Sequence, residues 1–144
     1  CLYLASDEET TFHEVRARDN DHVSVGKFNQ IKDLKIVDLS LFDKIGPFSI
    51  PDFDMTWFAI NIDIIRKIGD EVAKPMRRFD RALDYVPTQY ICDYIKHLGY
   101  DGIRYKSTLV EGGINYAFFD EKKFDCTEVK VVHIGDIHYE WNEL

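Results

Sequence analysis

The sequence predicts an α+β domain, a mixed and mainly antiparallel sheet with flanking helices. Three observations carry that prediction. Candidate strands and helices follow one another irregularly, without the strict alternation of a doubly wound parallel fold. The 144 residues suit one domain rather than two. No repeat, low-complexity tract or Pro/Gly/Ser-rich linker divides the chain. Residues 1–144 are therefore read as a single domain.

Taken in order, Leu2-Tyr3-Leu4-Ala5 is a short apolar run and reads as a buried strand. Ser6, with Glu9 three residues on, fits a capping box. The acidic turn Asp7-Glu8-Glu9 suits the positive end of a helix dipole. A helix is expected from Asp7 to about Arg18, closed by the turn signal Asp19-Asn20-Asp21. Val23, Val25 and Phe28 mark a β-rich stretch ending near Asn29, and Leu34 to Leu39 marks another strand.

Gly46-Pro47 and Ile50-Pro51 predict an irregular excursion over 41–54. Over 55–68, Trp57, Phe58, Ile60, Ile64, Ile65 and Ile68 have mostly helical spacing, whereas 71–86 shows no clear pattern. Pro87 fits a first helical position. Tyr90, Ile91, Tyr94, Ile95 and Leu98 then give the clearest helix, with Gly99 as its C-terminal cap. Gly102 to Tyr105, Ile114 to Phe119 and Val129 to Tyr139 read as three further strands.

Composition narrows the function classes. Hydrophobic residues make up 45% and charged residues 31%, a globular balance. The net charge of −8 disfavours nucleic acid and anionic membrane, which need a positive field. No apolar run approaches the roughly 20 residues of a membrane helix. The three cysteines cannot all pair, and their spacing matches no zinc motif, so reduced thiols and a cytoplasmic location are expected. The five histidines are scattered, and no metal site is expected. There is no G-x-S-x-G, G-x-G-x-x-G or Walker A pattern. The run from Cys1 is already a strand in full stride, which predicts that the natural N-terminal portion lies upstream.

Two segments carry possible chemistry. Glu14 lies about 200° around the first helix from Phe12. Periodicity alone makes it a solvated residue, but its helix starts just past a strand end. The second segment is Gly102-Ile103-Arg104-Tyr105-Lys106-Ser107, followed by Gly112-Gly113-Ile114-Asn115. It brings two bases, a hydroxyl, a turn and an amide together in an acidic chain. It reads either as an exposed hairpin or as a cradle for a diphosphate.

Together the two segments resemble the RES domain family. The early block runs Tyr3-Leu4-Ala5-Ser6-Asp7-Glu8-Glu9-Thr10-Thr11-Phe12-His13-Glu14, a tyrosine on a strand and then a helix with a glutamate. Thr11 stands where many members have alanine. The late block runs Pro87-Thr88-Gln89-Tyr90, then Gly99 to Ser107, then Asn115-Tyr116-Ala117-Phe118-Phe119. The middle, about residues 41–86, shows little likeness.

The resemblance implies an ADP-ribosyltransferase-like fold and an NAD-binding site. It implies a toxin of a RES–Xre toxin–antitoxin module, with an Xre-type protein as antitoxin, while the charge and the lack of a long apolar run leave no direct contact with nucleic acid or membrane expected. Such enzymes break the nicotinamide–ribose bond of NAD with phosphate as co-substrate, leaving ADP-ribose 1″-phosphate. It casts Glu14 and Ser107 as catalytic, and Tyr3, Ser107 and Asn115 as NAD-binding. Glu14 would stabilise positive charge on the ribose, Tyr3 would pack on nicotinamide or touch ribose, and Ser107 would hold phosphate. The family's named arginine lies upstream of the tyrosine block, so this chain does not include it. Arg16, Arg18, Arg104 and Lys106 are not its equivalents. Two alternatives stay open: a protein ADP-ribosyltransferase on the same scaffold, and an inactive RES-like binding module. Oligomeric state is also open.

Overall fold

A computed structural model describes residues 1–41, 54–73 and 86–136. It has six strands and three α-helices among these residues. They run β1 (Leu2–Ala5), α1 (Glu8–Glu14), β2 (His22–Gln30), β3 (Ile36–Asp38), α2 (Met55–Ala73), α3 (Val86–His97), β4 (Gly102–Lys106), β5 (Ile114–Phe118) and β6 (Phe124–His133). The fold class is α+β, as expected, and the strands form two sheets. One is four-stranded with order β1-β5-β4-β3, antiparallel except for the β3–β4 pair. The other is a two-stranded ribbon of β2 and β6.

Strand alternation gives the larger sheet two distinct faces. Ile103 lies opposite Ala117 and Val37 in register, and Tyr105 lies opposite Asn115. Ile103 has no exposed surface and packs with Val72 of α2 and Ile95 of α3. Val37, Ile91, Cys92 and Tyr105 pack around that cluster. On the other face Tyr116 stacks on Phe118, and Phe118 meets Phe124 at 4.5 Å between ring centroids. A Cβ on Gly102 would meet Phe118 Cδ1 at 2.7 Å and Ala117 O at 2.6 Å, so only glycine lets that ring lie down.

The ribbon is fastened at both ends. Asn20 and Asp21 exchange backbone hydrogen bonds with Ile134, and Ile31 N–H donates to Lys123 O. Lys130 ties it to α1 through Glu8, at 2.6 Å. The Lys123–Asp101 pair, also 2.6 Å, anchors the turn before β6 to the approach of β4.

Several boundaries differ from the sequence expectation. The N-cap of α1 is Asp7, not Ser6. Asp7 has extended backbone, and its Oδ1 accepts from Thr10 N–H at 2.7 Å. Ser6 N–H is already committed to Ile114 O, so Ser6 belongs to the sheet edge and donates its hydroxyl to Asp7. These hydrogen bonds, Ser6 first, lower the Asp7 carboxyl below its usual range. The helix ends at Glu14 rather than Arg18, because Arg16 adopts φ 52°. Arg16 N–H bonds His13 O and Ala17 N–H bonds Phe12 O, a Schellman closure with arginine in the left-handed position.

The helix over α2 runs to Ala73, past the expected residue 68. The third strand is shorter than expected, because Leu39–Leu41 turns into a 3₁₀ helix. The last strand starts at Phe124, opposite Gln30, and ends at His133. Gly99 caps α3 as expected, with φ 82°. The excursion expected over 41–54 and most of 71–86 lie outside the described residues.

Candidate active site

The site begins with a close approach between α1 and the β4–β5 hairpin. Gly113 allows it: a Cβ there would meet Thr10 Oγ1 at 2.8 Å and Ser107 Cβ at 3.1 Å. Thr10 is fully buried and cannot retreat. One helical turn further on, α1 delivers Glu14 to the same hairpin.

Glu14 Oε1 accepts from Ser107 Oγ at 2.9 Å and from Asn115 Nδ2 at 2.6 Å. Three residues far apart in sequence thus meet at one oxygen. Asn115 is buried, 5% exposed, while the Glu14 side chain reaches solvent. No ion pair and no bond to Glu14 Oε2 is present among the described residues. Among the described residues the carboxylate is therefore held by neutral donors, with no ion pair to a cation.

Ser107 is fixed as firmly. Its oxygen accepts from Leu109 N–H and Val110 N–H, at 3.1 and 3.2 Å, and its own N–H bonds Gly113 O. Its hydroxyl proton goes to Glu14. In this state Ser107 orients the carboxylate, and the hairpin N–H groups are occupied by its own side chain rather than open to an anion.

Glu14 and Asn115 face a cleft of about 1080 Å³. That lies at or above the upper end of small-molecule sites, roughly 300–1,000 Å³, and gives room for a dinucleotide. Tyr3 lines it from the edge strand and is 69% exposed. The ribbon contributes Val25, Lys27, Phe28 and Lys130, and the turn after α1 adds Arg16. The lining thus carries three cations and four carboxylates, Asp7, Glu8, Glu14 and Glu128, and Lys130 is paired with Glu8.

Tyr105 also lines the cleft, across the ladder from Asn115. Burial raises its phenol well above the usual range, and the charges of Glu14 and Tyr3 add to this. It stays protonated at working pH. Sequence reasoning gave no site role to Tyr105 or Lys27, and weighed Arg16 only to reject it as the family arginine. Tyr105 had a signal, because it lies two residues from Ser107 and shares its strand's inner face. The ribbon residues had none, since they read only as strand segments. Among the described residues no group of three His, Cys, Asp or Glu is placed to hold a metal. No described helix is long and apolar enough to cross a membrane.

The geometry brings Tyr3, Glu14 and Asn115 to one cleft and joins Ser107 to it through Glu14. Comparison with curated proteins and with solved structures gave no match. The RES domain matches residues 1–142, nearly the whole chain including the middle where little likeness was expected. The chain therefore belongs to the RES domain family, an NAD-related and enzyme-like family.

Proposed function

We propose that this domain cleaves the nicotinamide–ribose bond of NAD by phosphorolysis, giving nicotinamide and ADP-ribose 1″-phosphate. The observation that carries the reading is Glu14: one oxygen fixed by Ser107 and Asn115, the other open, in a cleft sized for a dinucleotide.

Departure of nicotinamide builds positive charge on C1″ and the ring oxygen of the ribose. A fixed carboxylate with an uncancelled charge stabilises that cation-like state, and it does so without moving at the moment of reaction. Fixing by two neutral donors keeps both the position and the charge. Tyr3, exposed on the rim, offers a ring face to nicotinamide or an edge to the ribose. Arg16 and Lys27, both in the cleft lining, bring positive charge toward the diphosphate and the incoming phosphate. Phosphate is already an anion and attacks C1″ without a general base. Ser107 contributes through Glu14.

A toxin role, restrained by an Xre-type antitoxin in the cytoplasm, follows from the same family reading. The test is product identity. The full-length protein is incubated with NAD, with and without phosphate, and products are separated by mass. ADP-ribose 1″-phosphate formed only with phosphate supports phosphorolysis. ADP-ribose in both reactions means hydrolysis, mass added to protein means ADP-ribosyl transfer, and unchanged NAD leaves a binding module.

A further inference from the structure

One unused donor and one unused acceptor line the same cleft. Glu14 Oε2 accepts nothing from the described residues, although Oε1 accepts twice. The Tyr105 hydroxyl makes no hydrogen bond among the described residues. Its ring packs against the core cluster of Val72, Ile95 and Ile103, so the phenol is held rather than swinging. Both groups line the same cleft, and Tyr105 lies directly across the ladder from Asn115, which bonds Glu14.

The chemistry of the pair selects its ligand. A carbonyl or phosphate oxygen would accept from Tyr105 but meet the Glu14 carboxylate as a second acceptor. An ammonium would satisfy Glu14 and leave Tyr105 without an acceptor. Only a group that donates and accepts at once satisfies both, and the commonest such group is an alcohol. We infer that Tyr105 and Glu14 together bind one sugar hydroxyl, which accepts from the Tyr105 phenol and donates to Glu14 Oε2. Tyr105 is then a positioning residue that sets the ribose against the carboxylate. Because burial first, and then the Glu14 carboxylate, opposes its ionisation, Tyr105 serves as a donor and not as a base.

This inference rests on the reading of the cleft as an NAD site. Its test uses Tyr105→Phe, which keeps the packed ring and deletes only the hydroxyl. Nicotinamide release is measured for NAD and for analogues lacking the 2″- or the 3″-hydroxyl, with wild type and variant. Comparing ratios cancels the intrinsic lability of deoxy sugars. One analogue is expected to lose about tenfold more with wild type than with the variant, the worth of one good hydrogen bond. Tyr105→Phe should lower kcat/KM for NAD by a similar factor while its melting temperature stays put. Equal ratios for wild type and variant with both analogues overturn the inference. If wild type releases no nicotinamide, the enzymatic reading fails by itself. The same ratios are then read from binding of NAD and the analogues by titration calorimetry, and absence of any NAD binding removes both.

Discussion

Two carboxylates in this molecule sit in cages that look alike. Glu14 accepts from a serine hydroxyl and an asparagine amide. Asp38 accepts from the Ser40 hydroxyl at 2.6 Å, from Ser40 N–H at 2.9 Å, and from the Arg104 guanidinium, which also donates to Ser40 Oγ. Both cages are built on the same sheet. Arg104 and Tyr105 are neighbours on β4 and leave it on opposite faces, one to Asp38 and one toward Glu14.

The difference is the charge of the nitrogen donor. Arg104 cancels Asp38, so that cage is a closed structural clasp between the parallel strands β3 and β4. Asn115 cancels nothing, so Glu14 keeps its field and one open oxygen. A protein interior tolerates the second arrangement only where solvent or a ligand can reach the charge. The Asp38 carboxyl also registers its partners. Burial pushes it up, but the hydrogen bonds from Ser40 and Arg104 outweigh that, and the net shift is downward.

This contrast can be broken from either side. The largest effect is expected at the Glu14 cage. Asn115→Ala leaves the carboxylate loosely aimed, and nicotinamide release should fall about 100-fold, since small misplacements of a reacting group are costly. Loss of less than twofold would mean that fixing Glu14 is irrelevant.

Next comes Gly113→Ala, which forces α1 off the hairpin. It should cost about 1–3 kcal/mol in urea unfolding and lower activity together, because one contact serves both. Activity at the wild-type level with that stability loss would separate Glu14 from the α1–hairpin approach.

Asp38→Asn is expected to cost about 1–2 kcal/mol at neutral pH and to leave turnover intact. The sign of its pH dependence follows from the lowered folded value. The pair stabilises above the unfolded carboxylate value, about 3.9, and that stabilisation is lost as pH falls through the lower folded value. Urea midpoints from pH 3 to 7 should therefore slope less in the variant. The smallest effect is expected at Gly99→Ala, about 1 kcal/mol, from a positive φ alone with nothing else within 4 Å. It caps α3 away from the cleft and should not alter nicotinamide release.

How much of this was readable in the sequence depended on the range of the interaction. β1 and the turn at Asn20 were legible because local patterns set them. So were α3 and its Gly99 cap. The α1 cap was misplaced by one residue, since only the sheet contact of Ser6 with Ile114 reveals that Ser6 is already engaged. Arg16 in a left-handed conformation had no sequence sign at all. Glu14 was nameable only through the family resemblance, because its partners lie 93 and 101 residues away. The Asp38–Arg104 clasp spans 66 residues and depends on a parallel register that no local pattern encodes.

The most direct measurement of the central claim is nicotinamide release by wild type, Glu14→Gln and Asp38→Asn of the full-length protein in phosphate buffer. Each variant removes one carboxylate charge and keeps its shape. The account predicts a loss of about 100–1,000-fold for Glu14→Gln, with its melting temperature unchanged, and near wild-type rates for folded Asp38→Asn. Equal rates for wild type and Glu14→Gln, or a collapse of turnover confined to Asp38→Asn, would contradict it.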